Sequence, residues 1–359
     1  MNWHSKRASA STSRKQFYTE PARTVKTDKE KIMKKITALI IVLTMIITCF
    51  CACSDTPAQG TDKLNIVATT FPQYDWVRQI LGEKLRDVEL TLLLDDGVDL
   101  HSYQPTVTDL VTVSGCDMFI YVGGESDSWV EDALKNATNE NMTVINLIEL
   151  LGEEVLEEET VEGMQSEEHD HEAGEEHSHE GEKDEHIWLS LKNAVAICGH
   201  IAEKLSEIDA ENKDIYKANA DSYIEKLNTL NKEYTEAVTT SAYNTIVVAD
   251  RFPFRYLVDE YNLNYYAAFS GCSTETQASF ETVIFLSDKL EENKLGAVIV
   301  TESSDGSVAN TVISNTADKN QKVLALNSMQ SVTARDVENN VTYLGIMQEN
   351  LSVLKEALN

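Results

Sequence analysis

Between Asn212 and Thr240 the chain runs without proline or glycine and places Ile215, Ala218, Tyr223, Leu227, Leu230 and Tyr234 at helical spacing. Apolar residues recurring every three to four positions mark an amphipathic helix. At 1.5 Å per residue this stretch makes a rod roughly 43 Å long. Such a rod can run past a whole domain, so it divides the chain into two halves.

Both sides share one grammar. Before the rod, short apolar strands are predicted at Leu64–Thr69, Val88–Leu94, Met118–Val122 and Thr143–Leu147. Helical patterns alternate with them over Asp75–Leu85 and Thr106–Ser114, and over a third segment (Trp129, Val130, Ala133, Leu134) that Ser126 is placed to cap. After the rod, strands are predicted at Thr245–Ala249, Tyr265–Phe269, Ala297–Thr301 and Lys322–Leu326. Helices fall at Phe254–Tyr261, Phe280–Asn293, Ser307–Thr316 and, last, Asp336–Leu358. This alternation predicts βαβ units. The expected fold is α/β, with two lobes of mainly parallel four-stranded sheets joined by one rigid helix. No residue-level repeat relates the halves. The expected domains are a leader and signal peptide (1–53), a tether (54–62), an N-terminal lobe (63–205) carrying an acidic His-rich loop (153–186), a linker helix (206–242) and a C-terminal lobe (243–359).

The chain start differs in character. Residues 1–35 are basic, Met33-Lys34-Lys35 forms a short basic segment, and Ile36–Ile47 is an uncharged apolar run. That run is too short to span a bilayer but suits a signal-peptide core. Translation begins at Met1 or at Met33. The run ends CFCAC, and Cys53 follows Ala52 and precedes Ser54-Asp55. This resembles a bacterial lipoprotein signal with Cys53 as the lipidated residue, Cys51 being the alternative; a plain secretory signal cut nearby is the rival. Either way the mature chain lies outside the cytoplasm. The whole chain carries a formal charge of −30, which repels nucleic acid and anionic membranes and attracts cations. Beyond the leader, Cys116, Cys198 and Cys272 remain. An odd count is not a disulfide scaffold.

Glu167–Trp188 holds five of the eight histidines, His169, His171, His177, His179 and His186, among many carboxylates and a single lysine. Such a tract builds no core and reads as a surface loop. Imidazoles amid carboxylates suit loose, multi-site capture of a divalent transition metal; an acidic solubilising linker is the bland alternative. HEAGEEH is not the metalloprotease HExxH, because His171 and His177 are six apart rather than four.

Ligands of open α/β sheets sit beyond the carboxyl ends of the strands. Those ends lead to His101, His186, Asp250-Arg251, Cys272 with Glu275, Glu302 and Asn327-Ser328. Two lobes facing across a cleft would bring these tips together. His101 and His186 are the sharpest candidates for a metal site in the cleft. Zinc takes three or four N, O or S donors, so Glu302 or Cys272 could complete a shell. Structural roles for both are the alternative; Asp250 and Glu275 are weaker candidates. His200 is assigned to a helix surface.

LHSYQPTVTDL around His101, YVGGESDSWVED at 121–132, the His/acid tract, EHIWLSLKNA around His186 and the terminal LGIMQENLSVLKEAL together resemble one family. It is the metal-binding lipoproteins of ABC importers for zinc and manganese, especially the zinc-uptake branch, over about residues 62–359. The resemblance implies two α/β lobes linked by a rigid helix, with the metal between them and 212–240 as the linker. It also implies a lipid-anchored, monomeric receptor at the extracellular face of the cell membrane or in the periplasm, serving an ABC permease and its ATPase. The family's first two ligands correspond to His101 and His186. Where its third histidine stands this chain has Arg251, which is no metal ligand; where a carboxylate stands in relatives it has Asn327. The expectation is that Glu302, with Cys272 or Glu275, supplies the missing donors while Arg251 orients a carboxylate.

The leading function is capture of Zn²⁺, with Mn²⁺ or iron as alternative cargo, and the acidic His tract as an ion collector. A zinc-dependent hydrolase is a rival class and would need an open metal position and a general base, but no hydrolase motif supports it. A surface adhesin is a third class that nothing in the sequence specifically supports.

Overall fold

The computed structural model describes Met33 and residues 63–165, 181–273 and 277–359. The leader apart from Met33, with Cys51 and Cys53, and also Glu275, His169, His171, His177 and His179, lie outside the described residues.

The first half contains β1 (Leu64–Ala68), α1 (Phe71–Leu81), β2 (Val88–Leu92), α2 (Val107–Gly115), β3 (Met118–Tyr121), α3 (Val130–Lys135), β4 (Thr143–Asn146) and α4 (Leu147–Leu151). Then come α5 (Leu191–Ile208) and the rod, α6 (Lys213–Thr240). The second half contains β5 (Thr245–Phe252), α7 (Arg255–Tyr261), β6 (Asn264–Ser270), α8 (Phe280–Glu292), β7 (Ala297–Thr301), α9 (Ser307–Asn315), β8 (Lys322–Leu326), α10 (Ala334–Glu338) and α11 (Tyr343–Ala357).

The sheets run β2-β1-β3-β4 and β6-β5-β7-β8, and every strand pairing within them is parallel. The two halves therefore repeat one topology without repeating residues. A parallel strand covered on both faces needs only an apolar run, which many sequences supply. Alternation along β5 shows the two-sided burial. Ile246 and Val248 join the core shared with α6 and α11, while Val247 and Ala249 face a second cluster under α8 and α9. In both sheets the strand order reverses beside the first strand, which opens a crevice at the carboxyl ends.

Several boundaries differ from expectation. The first helix starts at Phe71 rather than Asp75, because Gln73 Oε1 accepts the N–H groups of Thr69 and Thr70 at 3.0 and 3.2 Å, and Pro72 suits a first helical turn. The last predicted helix is two, α10 and α11, with Asn340 between them at φ 61°. Ser126 does not cap α3; its hydroxyl goes to the site described below.

Residues 63–359 form one compact unit. Tyr343, at the start of α11, ties the halves together. Its N–H donates to Asp75 Oδ2 of α1 at 2.8 Å, its hydroxyl donates to Trp188 O at 2.7 Å, and its ring meets Trp76 edge-on. The segment entering the His-rich tract also crosses between the halves. Gln165 N–H donates to Ala268 O of the edge strand β6 at 2.9 Å, and Tyr256 OH links Leu156 N–H to Asp184 O.

Candidate metal centre

His101 lies in a short 3-10 turn after β2, where Asp99 Oδ1 accepts its backbone N–H at 3.0 Å. His186 precedes another 3-10 turn, Ile187–Leu189, whose three side chains are buried. Ser190 caps α5 just beyond it, and the Trp188 indole donates to Ser328 O at 2.8 Å. Both imidazoles are thus set by the packing of their neighbours.

The two Nε2 atoms stand 3.2 Å apart. Two nitrogens bound to one zinc at 2.0–2.1 Å in a tetrahedral shell are separated by roughly 3.3 Å, so the pair already has the edge length of such a shell. Each outer nitrogen is occupied. His101 Nδ1 lies 2.9 Å from Ser126 Oγ and 3.5 Å from Glu185 Oε2. His186 Nδ1 lies 2.9 Å from Asp184 Oδ1. Oxygen partners at Nδ1 favour the tautomer that turns an Nε2 lone pair toward the shared space, and they raise ligand basicity. Burial, then the neighbouring His186 charge, pulls the His101 pKa down to about 4. Burial acts the same way on His186, but the carboxylates of Asp184, Asp99 and Glu185 outweigh it and raise its pKa.

The second half contributes Cys272, from the turn after β6. Among the described residues, donor atoms of His101, His186 and Cys272 lie within 4.8 Å of one another. Glycine makes this approach feasible. A Cβ at Gly271 would lie 2.9 Å from Phe252 O and 3.0 Å from His186 Cε1, and one at Gly124 would overlap the Glu185 carboxylate. Glu158 Oε1 accepts the Cys272 N–H at 3.1 Å and fixes the turn. Burial, reinforced by Glu158, holds the free thiol well above its ordinary pKa, so a metal must displace its proton. A cavity of about 510 Å³ opens beside His101 and Cys272, lined also by Asp99, Arg251 and Thr301.

Glu302 does not join this group. Its oxygens accept from Ser328 N at 2.8 Å and from Ser328 Oγ and Ser331 Oγ at 2.9 Å. With those donors engaged, the carboxylate fastens the loop after β8 instead of facing the imidazoles. Asn327 likewise stays in that loop, accepting the Met329 N–H. Arg251 does orient a carboxylate: its Nη1 is 2.8 Å from Asp99 Oδ2, so one aspartate joins the opposite half to the turn of His101. Asp250 accepts from its own neighbour's N–H and from Thr301 N and Oγ1. Asp184, Glu185 and Gln330, whose Nε2 lies 3.2 Å from His186 Nε2, were not singled out from sequence, and Ser126 was read only as a helix cap. The acidic pair directly preceding His186 is a signal that could have found the first two.

Two parallel sheets, a rod between them, and imidazoles from one half meeting a thiol from the other define a bilobal, cleft-binding protein. Comparison with known proteins places it further. The chain belongs to the family described as ZnuA, zinc-uptake complex component A periplasmic, whose sequence profile matches residues 66–357. Zinc-binding lipoprotein AdcA of Streptococcus pneumoniae strain R6 is 30% identical over 324 residues, which is 90% of this chain and 61% of that relative. The chain thus spans about three-fifths of that protein's length. High-affinity zinc uptake system protein ZnuA of Bacillus subtilis is 28% identical over 88% of this chain and 97% of its own. The Zn(II)-bound ZnuA-like domain of Streptococcus pneumoniae AdcA superposes with a TM-score of 0.64 at 27% identity, covering 82% of this chain and 99% of that domain.

Proposed function

We propose that this chain is the metal receptor of an ABC importer, capturing Zn²⁺ between its lobes and handing it to a membrane permease driven by an ATPase. The observation that carries this reading is the facing pair of Nε2 atoms, 3.2 Å apart, with Cys272 beside them. His101, His186 and Cys272 are the ligands of this reading. A lipid on Cys53 anchors the monomer at the outer face of the membrane. Imidazole and thiolate donors favour zinc over manganese, and the names of the AdcA and ZnuA relatives agree with zinc. No bond in the cargo is made or broken. His169, His171, His177 and His179 serve as an ion collector.

Elemental analysis of the purified mature chain, followed by competitive titration with Zn²⁺ and Mn²⁺, tests the assignment. One tightly held zinc that manganese does not displace is the expected result; preferential manganese loading would sink it. Deleting 167–182 is expected to spare the tight site and lower total zinc stoichiometry.

Protons and metal compete for the same lone pairs. The thiol of Cys272 stays protonated through neutral pH, so zinc affinity is expected to rise about tenfold per pH unit there, one proton being released. Below the raised pKa of His186 a second proton must leave and the slope steepens; His101, with a pKa of about 4, adds nothing in that range. Zinc titrations at several pH values, with the released protons counted by calorimetry in buffers of different ionisation enthalpy, measure both slopes.

A further inference from the structure

One segment of the first half touches both sides of the cleft. Residues 155–165 follow α4 and lead into the His-rich tract. Glu158 N–H donates to Glu182 O at 2.8 Å, and Asp184 N–H donates to Leu156 O at 2.9 Å, so the segment is tied to the residues just before His186. Asp184 in turn holds the His186 ring. The Glu158 carboxylate reaches the second half, where its Oε1 accepts the N–H of Cys272 at 3.1 Å. A single residue thus links the approach to one imidazole with the turn that carries the thiol. Beyond Glu158 the segment lies along the second half. Glu159 Oε2 pairs with Arg255 Nε at 3.3 Å and accepts the Tyr265 hydroxyl at 3.2 Å. Gly163, at φ 85°, sits so close to Phe285 that a Cβ there would overlap the ring. Gln165 donates its N–H to Ala268 O and accepts the Ser279 N–H through Oε1 at 2.7 Å.

We propose that residues 155–165 are a strap between the halves and that Glu158 is a positioning residue of the metal site, holding the Cys272 sulfur against the two imidazoles. The proposal rests on the receptor reading, with Cys272 as a ligand, and adds what makes that third donor detachable. No residue of the strap is fully buried. It is held by separate hydrogen bonds and a partly exposed ion pair, each weak in net terms. Segments held that way open locally at far lower cost than the core. Cys272 lies just past β6, outside any helix or strand, where Gly271 already approaches His186. Undocking the strap withdraws the acceptor that fixes the Cys272 backbone, while His101 and His186 keep their own Nδ1 partners. A bound metal then loses one of these three donors without either sheet moving. Coupling of this kind runs in both directions. Docking that strengthens metal binding is itself strengthened by the metal, by the same factor.

Cobalt(II) in place of zinc reports the sulfur directly through its thiolate-to-metal absorption, and C272S identifies those bands. E158A is expected to weaken the bands and to lose roughly tenfold in zinc affinity, the usual scale for a partner that orients a ligand. E158Q keeps an oxygen acceptor and is expected to keep both; a residue acting only through its negative charge would make the two variants alike, which would overturn the positioning role. G163V, which drives the strap off Phe285 without altering a ligand, is expected to release zinc roughly tenfold faster. In the wild type, zinc is expected to slow hydrogen exchange at the Gln165 amide by about the same factor. Thermal unfolding of the metal-free variants checks that each is folded, and the exchange measurement needs no variant. Wild-type bands and affinity in folded E158A, or exchange at Gln165 unchanged by zinc, would overturn the strap while leaving the receptor reading intact. Bands that survive C272S would remove Cys272 from the shell and overturn the ligand set on which the strap rests.

Discussion

Replacing His186 by alanine is expected to lower zinc affinity at the cleft by about two orders of magnitude or more. Structural zinc sites bind with apparent free energies of about 10–16 kcal/mol. Shared among three or four donors, that is roughly 3 kcal/mol each, or about a hundredfold. The loss at this position should exceed that share. His186 is fully buried, so no water-borne donor replaces it without rearrangement. Asp184, which accepts both its N–H at 2.8 Å and its ring nitrogen at 2.9 Å, would keep the first contact and lose the second. His101→Ala is expected to fall in the same range. His200→Ala is the control, since that ring sits on α5 beside Glu203 and is not among the clustered donors. Competition against a chromophoric chelator measures all three. Equal affinities for the His186 and His200 variants would place the zinc elsewhere.

The second large effect concerns stability. Asp75→Ala is expected to destabilise the fold by about 3–5 kcal/mol, the usual consequence of removing one partner of a buried ion pair. The Asp75 carboxylate is fully buried; its Oδ1 is 2.6 Å from Arg78 Nη2, and its Oδ2 accepts the Tyr343 N–H at 2.8 Å. Arg78 Nη2 in turn donates to Val341 O at 2.8 Å. Truncation leaves a mostly buried guanidinium and the first N–H of α11 without their acceptor. Because α11 starts here and also holds Trp188 O through the Tyr343 hydroxyl, the damage should reach the turn of His186. Urea unfolding of the metal-free protein reads the loss as a lower midpoint at unchanged slope. A midpoint within error of wild type would mean that this buried pair does not join the halves.

How much of this was legible beforehand differs by feature. The rod could be read because its apolar period lies wholly within its own residues and nothing in it breaks a helix. The strands could be read because buried parallel strands are uninterrupted apolar runs. His101 and His186 stood out because imidazoles at strand ends in an acidic chain have few other uses. Ser126 misled because its capping position is a local property, whereas the partner its hydroxyl found, His101 Nδ1, is 25 residues away. The final helix misled because its apolar spacing continues across Asn340, where the backbone turns left-handed.

Glu302 shows the same division. From sequence it sits at a strand end of the second half, and carboxylates are common metal donors. Where its oxygens point depends on how the loop after β8 folds, with Ser328 and Ser331 donating to it and the indole of Trp188, in the other half of the chain, holding Ser328 O. The sequence alone determined the two sheets, the rod between them and one pair of imidazoles, because each depends on spacing or residue type along a short stretch. Only the tertiary structure decided that both halves share one strand order, that Cys272 faces the histidines past Gly271, that Arg251 reaches Asp99, and that Glu302 braces a loop. Those outcomes are contacts between segments far apart in the chain, and a donor's direction is set by the partner that satisfies it, which local pattern does not encode.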